Sequence, residues 1–399
     1  MRLPRFSRLL PTRSVRWLIC SSTVLLLAAC GTADAPLSSA VPVDAQPDMT
    51  TPSAELAPPA LSMAERLAAL SEPPGMEPGQ YGLRADAREL ALQIADAHRL
   101  PPDWVWSQLA QARFRERIPV LMMPPAGGHT AKDWEAYRAR FIEPIRTRAG
   151  VRFWQEHADT LARAEQQWGV PSRIIVGIIG VETIYGRQTG QYRVIDALTT
   201  LSLDFPRGRS DRSAFFRREL GQYLAWCHDQ QRDPQTVRGS YAGAIGWPQF
   251  MPSSIRRFGV DFDGDGRVDL MNSPADVIGS VANYLAQHGW QSGQSTHFSV
   301  VTPSETASLE TLLAPDIVPS FLPTEMQALG AQLPAAALAH PGKLALVELQ
   351  NGGRRPTRVA GTANFFAITR YNQSSYYTMA VIQLGDAVAN ALPGAGAKP

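Results

Sequence analysis

One carboxylate in this chain sits where such groups are seldom found. Glu182 falls in the stretch VPSRIIVGIIGVETIYGR, residues 170–187. Ile174, Ile175, Ile178 and Ile179 recur at helical spacing, and Glu182 follows four residues after Ile178, on the same apolar stripe. Desolvation there disfavours the ionised form, as does the partial negative charge at a helix C-terminus, worth roughly 0.3–1 kcal/mol when exposed. Both raise the pKa. A carboxyl held protonated near neutral pH is what a general acid must be when a glycosidic oxygen leaves. The same position also suits a structural glutamate bonded to Tyr185, Arg187 or a neighbouring helix.

A second cluster, Asp261-Phe262-Asp263-Gly264-Asp265-Gly266-Arg267-Val268-Asp269, has the spacing of an EF-hand calcium loop. Oxygen ligands stand at positions one, three, five and nine, Arg267 would give its main-chain carbonyl at seven, and glycine holds position six. Asn272 stands where the bidentate Glu belongs, which lowers the expected affinity unless Asp276 turns back to serve. Asp276 also suits the role of capping-box partner to Ser273. Such a cation would brace the structure and do no chemistry. A third stretch, GSYAGAIGWPQFMPSS at 239–254, combines small residues that permit close approach with Ser240, Trp247 and Gln249, which offer hydrogen bonds and a stacking face. Tight helix packing accounts for its glycines equally well. The sequence has no GxxxxGK[ST], CxxC or HExxH, so nucleotide and zinc chemistry have no foothold and no catalytic cofactor is expected.

These groups need a scaffold, and most of it reads as helix. For the stretch around Glu182, Pro171 suits a first turn and Gly186 a left-handed stop. Helical spacing also runs over Ala85–His98, Pro102–Phe114, Asp133–Phe141, Val151–Trp168, Val194–Ser202, Ser213–Gln230 and Ala275–His288, with a loop at Met122–Gly128. After Trp290 the pattern changes to short strand-like runs at His297–Val301, Leu344–Gln350, Arg358–Ala360 and Phe365–Thr369, with Asn351-Gly352-Gly353 as a turn, and a closing helix at Tyr377–Ala391. The fold class is therefore mainly α (α+β). Its helical part covers about 80–290 and a small β-containing part about 295–370, within a folded region of 76–395.

The N-terminal residues carry Arg2, Arg5, Arg8, Arg13 and Arg16 ahead of an apolar run, the pattern of a secretory signal over 1–29. Leu27-Ala28-Ala29-Cys30 resembles a bacterial lipobox, which implies lipidation of Cys30; an ordinary cleaved signal is the alternative. Gly31 after it implies sorting to the outer membrane, so the expected location is the periplasmic face of that membrane, held by lipid. Residues 30–75 are rich in Ala, Pro, Ser and Thr and read as a disordered tether. Of three cysteines, Cys20 leaves with the signal and Cys30 carries lipid. Cys227, in a helical stretch, remains as a buried thiol with no partner for a disulfide. A net charge of +2 over 399 residues argues against nucleic acid as a partner.

Taken together, GVETIYG, GSYAGAIGWPQFMPSS, the Asp-rich loop, SVANYLAQHGW and ITRYNQSSYY resemble the lytic murein transglycosylase B family, over roughly Gln80 to Ala391. The resemblance implies a lysozyme-like helical core with an additional helical domain and a small late β-containing subdomain lining a groove. It implies a carbon-oxygen lyase acting on peptidoglycan, cleaving the β-1,4 bond between N-acetylmuramic acid and N-acetylglucosamine and leaving 1,6-anhydromuramoyl ends. By that resemblance Glu182 is the sole acid/base, and Tyr137, Ser240, Gln249, Tyr284, Tyr371 and Asn372 contact glycan. Asp261, Asp263, Asp265, Arg267, Asp269 and Asp276 are then the candidate holders of a structural Ca2+. Trp247 and Pro248 depart from the family, where Tyr and Gly are common.

One carboxylate suffices where two are usual because the muramoyl C6 hydroxyl is an intramolecular nucleophile, favoured by proximity. Expected partners are peptidoglycan strands and the outer membrane, with cell-wall synthesis or division proteins as candidates. Two other functions fit less of the sequence. A non-catalytic murein-binding lipoprotein would not need a raised-pKa acid, and a lysozyme-type muramidase using water would need a second carboxylate near Glu182.

Overall fold

The computed structural model describes residues 61–72, 75–124 and 132–394. The expected signal, Cys30 and most of the tether lie outside the described residues. The part of the tether that is described holds a helix, Met63–Ala69, so the expectation of disorder to residue 75 is corrected. Ser62 and Glu65 form a reciprocal capping box there, and Arg66 pairs with Asp96 of the body at 2.5 Å.

The architecture is mainly helical with small antiparallel sheets, as expected. The helix Ser172–Thr183 runs through the main core, and from Ile174 to Thr183 every residue is buried. The apolar stripe read from sequence is thus half of the truth: this helix has no solvent face, because Val176, Gly177, Gly180 and Val181 are covered too. Burying each isoleucine contributes about 1.5–3 kcal/mol. The closing helix, Ser375–Asn390, packs along it. Two glycines set the distance between them. A Cβ at Gly177 would lie 2.3 Å from the Val381 carbonyl oxygen, and one at Gly385 2.0 Å from that of Arg173. Only residues without a side chain let the two backbones approach so closely.

Pro144–Glu156, Ala158–Trp168 and Pro274–Gln287 pack on this pair, while Val194–Leu203 and Ser213–Asp229 pack on each other and belong to the same core. The single helix expected over Val151–Trp168 is two, parted at His157, whose backbone is not helical, and the first starts earlier, at Pro144, with the Glu143 side chain accepting from its first amides. The helix expected over Pro102–Phe114 stops at Ala110. The one expected over Asp133–Phe141 is the short turn Trp134–Arg138, with Asp133 as its N-cap.

Strands β1 (Tyr192–Arg193) and β2 (Arg238–Gly239) form a two-stranded pair that sequence did not reveal. The late β-containing part holds β3 (His297–Ser299), β4 (Ala345–Asn351) and β5 (Arg354–Gly361), antiparallel in the order β3-β5-β4. The β4–β5 turn is the expected one. Gly352 and Gly353 both take positive φ, 60° and 86°, as a two-residue hairpin loop requires. The sheet covers a second, smaller core made by Leu312, Met326, Ala337, Leu344, Leu346 and Ala360. Phe365–Thr369, expected as a strand, is instead part of the helix Ala363–Asn372, whose first amides bond to Thr362 Oγ1. A short apolar run does not distinguish a buried strand from a buried helix by its period.

Candidate active site

Glu182 stands in the last turn of the central helix, 9% exposed, and faces a cleft of about 770 Å³. The helix stops just past it, three residues before the glycine expected to end it. Ile184 and Tyr185 already have left-handed φ of 52° and 55°, and Gly186 continues at 81°. For a β-branched residue such as Ile184 this conformation is costly, so the surroundings must hold it. Thr183 and Trp247 do so. Thr183 Oγ1 accepts from the Gly186 amide at 3.1 Å and donates to the Trp247 carbonyl at 2.9 Å. The Trp247 ring fills the space beside Gly186, where an added Cβ would meet it at 2.3 Å.

Burial pushes the Glu182 carboxyl up to about 7, and a hydrogen bond from Tyr377 restrains the rise. That bond, Tyr377 Oη to Glu182 Oε1 at 2.7 Å, joins residues 195 apart in sequence. It is the neighbouring-helix contact that sequence left open, and neither Tyr185 nor Arg187 makes it. Tyr377 was not singled out by its type or spacing; only the packing of the closing helix brings it here. The charge of Glu182 is also felt by Tyr137, Tyr284 and Tyr371, whose phenols, buried like that of Tyr377, are pushed upward. The carboxyl is therefore ringed by phenols, with no other carboxylate among the described residues of the cleft lining.

Ser240, Gln249, Tyr284, Tyr371 and Asn372 line the same cleft as Glu182, and Tyr137 does not. Tyr137 instead packs with Trp134, Phe141 and Tyr376, at ring separations of 6.3, 5.0 and 5.8 Å. Ser240 Oγ accepts from the amides of Ala242 and Ala244 at 3.3 and 3.0 Å, leaving its hydroxyl proton available to a ligand. Gln249, at φ 50°, fixes its amide nitrogen on the carbonyls of Gly246 and Thr189. Tyr284 and Tyr371 donate to the carbonyls of Arg370 and Pro248, both at 2.7 Å, which leaves ring surface rather than hydroxyl for a ligand. Arg117 and Arg187 also line the cleft. Cys227 lies apart from it, buried, with its thiol pushed up to about 12 by that burial, the state of an inert packing thiol.

The acidic loop brings together Asp261, Asp263 and Asp276, with one oxygen from each within 4.8 Å of the others. Asp276 is buried, and its carboxyl is raised by that burial and by Asp263. Its Oδ1 accepts from Phe262 N and its Oδ2 from Asp269 N, at 2.8 and 2.7 Å. Of the two roles read for it, then, the side chain ties the loop; only its amide takes part in the Ser273 cap, at 3.2 Å. Asp265 and Asp269 are not in the cluster. Asp265 accepts from the Arg267 amide, and Asp269 turns to the amides of Met271 and Asn272. Three clustered carboxylates, one of them buried, fit a hard divalent cation such as calcium. The loop is tied to the cleft through Trp247, whose Nε1 donates to Met271 O and whose amide donates to Leu270 O, both at 2.9 Å.

The model of the transglycosylase SLT domain family matches residues 83–386. Membrane-bound lytic murein transglycosylase B of Escherichia coli (strain K12) is 38% identical over 320 residues, 78% of this chain and 84% of that protein. The crystal structure of the soluble lytic transglycosylase SltB1 from Pseudomonas aeruginosa superposes with a TM-score of 0.69 at 39% identity, covering 77% of this chain and 99% of that one. The Escherichia coli lytic transglycosylase Slt35, solved in complex with calcium, superposes with a TM-score of 0.68 at 37% identity, covering 78% and 95%.

Proposed function

The chain belongs to the transglycosylase SLT domain family, and on that footing we infer that it is a peptidoglycan lytic transglycosylase. The observation that carries this reading is Glu182, the one carboxyl among the described residues of the cleft lining, held up to about 7 by burial. Its bond cleaved is the β-1,4 link between N-acetylmuramic acid and N-acetylglucosamine. Protonated Glu182 donates to the leaving glycosidic oxygen, and the resulting carboxylate takes the proton of the muramoyl C6 hydroxyl as that oxygen attacks the anomeric carbon. The products are a free N-acetylglucosamine hydroxyl and a 1,6-anhydromuramoyl end, with no water consumed. Tyr377 orients the carboxyl through Oε1, so that Oε2 handles the proton.

Ser240 and Gln249 would hydrogen-bond the glycan, Tyr284 and Tyr371 would give ring faces to sugars, and Asn372 would add a polar contact beside them. Tyr137 would act from behind the wall, by holding Tyr376 and Trp134 in place. A muramidase that activates water would need a second carboxylate in the cleft, where the described lining supplies none.

Asp261, Asp263 and Asp276, with the Arg267 carbonyl, would hold a calcium ion. Such an ion would neutralise the clustered charge and stiffen the loop that backs Trp247; Slt35 of Escherichia coli binding calcium supports this. Lipidation at Cys30 would hold the enzyme to the periplasmic face of the outer membrane, with residues up to about 60 as tether. Support comes from the membrane-bound relative, and among the described residues no helix is long and apolar enough to cross a membrane. Digestion of purified sacculi followed by mass spectrometry tests the activity. Anhydromuramoyl ends are expected; reducing muramoyl ends, or intact glycan, would overturn it.

A further inference from the structure

We propose that Arg117 and Arg187 form a subsite on the cleft wall for a carboxylate carried by the muramoyl substituent of the glycan, and that the enzyme thereby selects anionic over neutral substituents. This rests on the transglycosylase reading of the cleft. Both arginines line the cavity that holds Glu182, and both are exposed. Arg187 follows directly on the left-handed exit of the central helix, and Arg117 shares its helix, Arg117–Met122, with Leu121 of the same lining.

Their lack of partners sets them apart from the arginines nearby. Arg115 and Arg193 are both neutralised by the fully buried Asp196, each at 2.6 Å, Arg113 pairs with Glu77, and Arg84 pairs with Asp204 at 2.7 Å. Arg209 donates to the carbonyl of Met122. Among the described residues, the side chains of Arg117 and Arg187 make no hydrogen bond, ion pair or ring contact. The rest of the described lining adds no negative charge to offset them, since among the described residues its only carboxyl is Glu182 and this one keeps its proton up to about 7. Two uncompensated guanidinium groups between low-dielectric walls concentrate an attractive potential for anions. The planar fork of each matches a carboxylate, which it can bind through two parallel hydrogen bonds.

The sugar rings of the glycan are neutral, so an anion must come from the substituent on the muramoyl unit. Two sources share the chemistry: the lactyl carboxylate of a peptide-free unit, and the carboxylates of a stem peptide. The test uses two pairs of soluble glycan oligomers. One pair is peptide-free with the lactyl group free or amidated, the other bears stem peptides with carboxylates free or amidated. The full chain and its Arg117→Gln/Arg187→Gln variant are assayed on all four for kcat/KM of anhydromuramoyl release.

For the native enzyme at low salt, the free form of one pair should be favoured over its amide about 10-fold, equivalent to ~1.4 kcal/mol. The variant should bring that ratio close to one, and salt should erode it in the native enzyme. The pair that shows the ratio identifies the carboxylate. A ratio near one for both pairs in the native enzyme, or one that the variant leaves intact, overturns the proposal. Absence of anhydromuramoyl product from all four substrates with the native enzyme would instead overturn the underlying function.

Discussion

Replacing Glu182 by glutamine keeps the side chain's size and its bond to Tyr377 while removing the proton that the proposed mechanism requires. Turnover of sacculi should fall by at least about 10²–10⁴-fold, the usual contribution of general acid–base catalysis. Near-normal release of anhydromuropeptides would refute the assignment. The same substitution tests the raised pKa through stability. Between 4.5 and about 7 the folded protein holds a proton on Glu182 that the unfolded chain has lost, so this group makes stability fall as pH rises through that window. The full effect is ~3 kcal/mol. The melting temperature of Glu182→Gln relative to the native protein should therefore climb from about pH 4 to about pH 8; a constant difference would mean that the carboxyl is unperturbed. Activity, too, should decline as pH rises through about 7, since in the proposed mechanism the acid form begins the cycle. Tyr377→Phe removes the hydrogen bond that favours the ionised carboxylate, so that alkaline limb should move upward by about one unit. Lower activity with an unmoved limb would make Tyr377 a packing residue only.

The central and closing helices position the acid as a pair. A Cβ at residue 385 would press against the main-chain oxygen of Arg173, which no rotamer change can relieve. Gly385→Ala should cost about 1–3 kcal/mol, as overpacking does, and lower activity by moving Tyr377 off Glu182. Unfolding in urea and an activity assay would show whether the two losses go together. The acidic loop acts on the same turn from the other side, through Leu270, Met271 and Trp247. If it holds calcium, chelation should lower the melting temperature of the native protein, and Asp263→Ala with Asp261→Ala should abolish that sensitivity. A native melting curve indifferent to chelator and to excess calcium would leave the loop as a turn.

At the scale of the molecule, the sequence joins the folded body to its N-terminal residues through a stretch rich in proline, alanine, serine and threonine, and the lipid anchor proposed at Cys30 can be tested there. Cys30→Ser should release an active enzyme from the membrane fraction into the soluble periplasm. Persistence in the membrane at high salt would argue for another means of attachment. Within the body the sheet gives Ala345, Val347 and Leu349 to the main core and Leu346 and Ala360 to the smaller one, and the chain then returns to the main core, which brings Tyr371 to the cleft and Tyr377 to Glu182.

Several of these features are local in origin, and the sequence by itself determines them. The period of the isoleucines before Glu182, the Gly352-Gly353 turn, the spacing of the acidic loop and the helical runs at Ala85–His98 and Ser213–Asp229 depend on neighbours within a few residues. Glu182 could be singled out because a carboxylate on an apolar stripe is anomalous within a single helix. Other features needed the tertiary structure. The central helix is buried on every side because the closing helix covers what its own pattern left open. The strand-like run at Phe365 became helix because a short apolar segment takes the form its surroundings allow. The partner of Glu182 is Tyr377, a choice made across 195 residues by two glycine-mediated backbone contacts. Arg117 and Arg187 look like any surface arginines in sequence. Only the tertiary structure sets both on the lining of the cleft while Asp196 is taken up by Arg115 and Arg193.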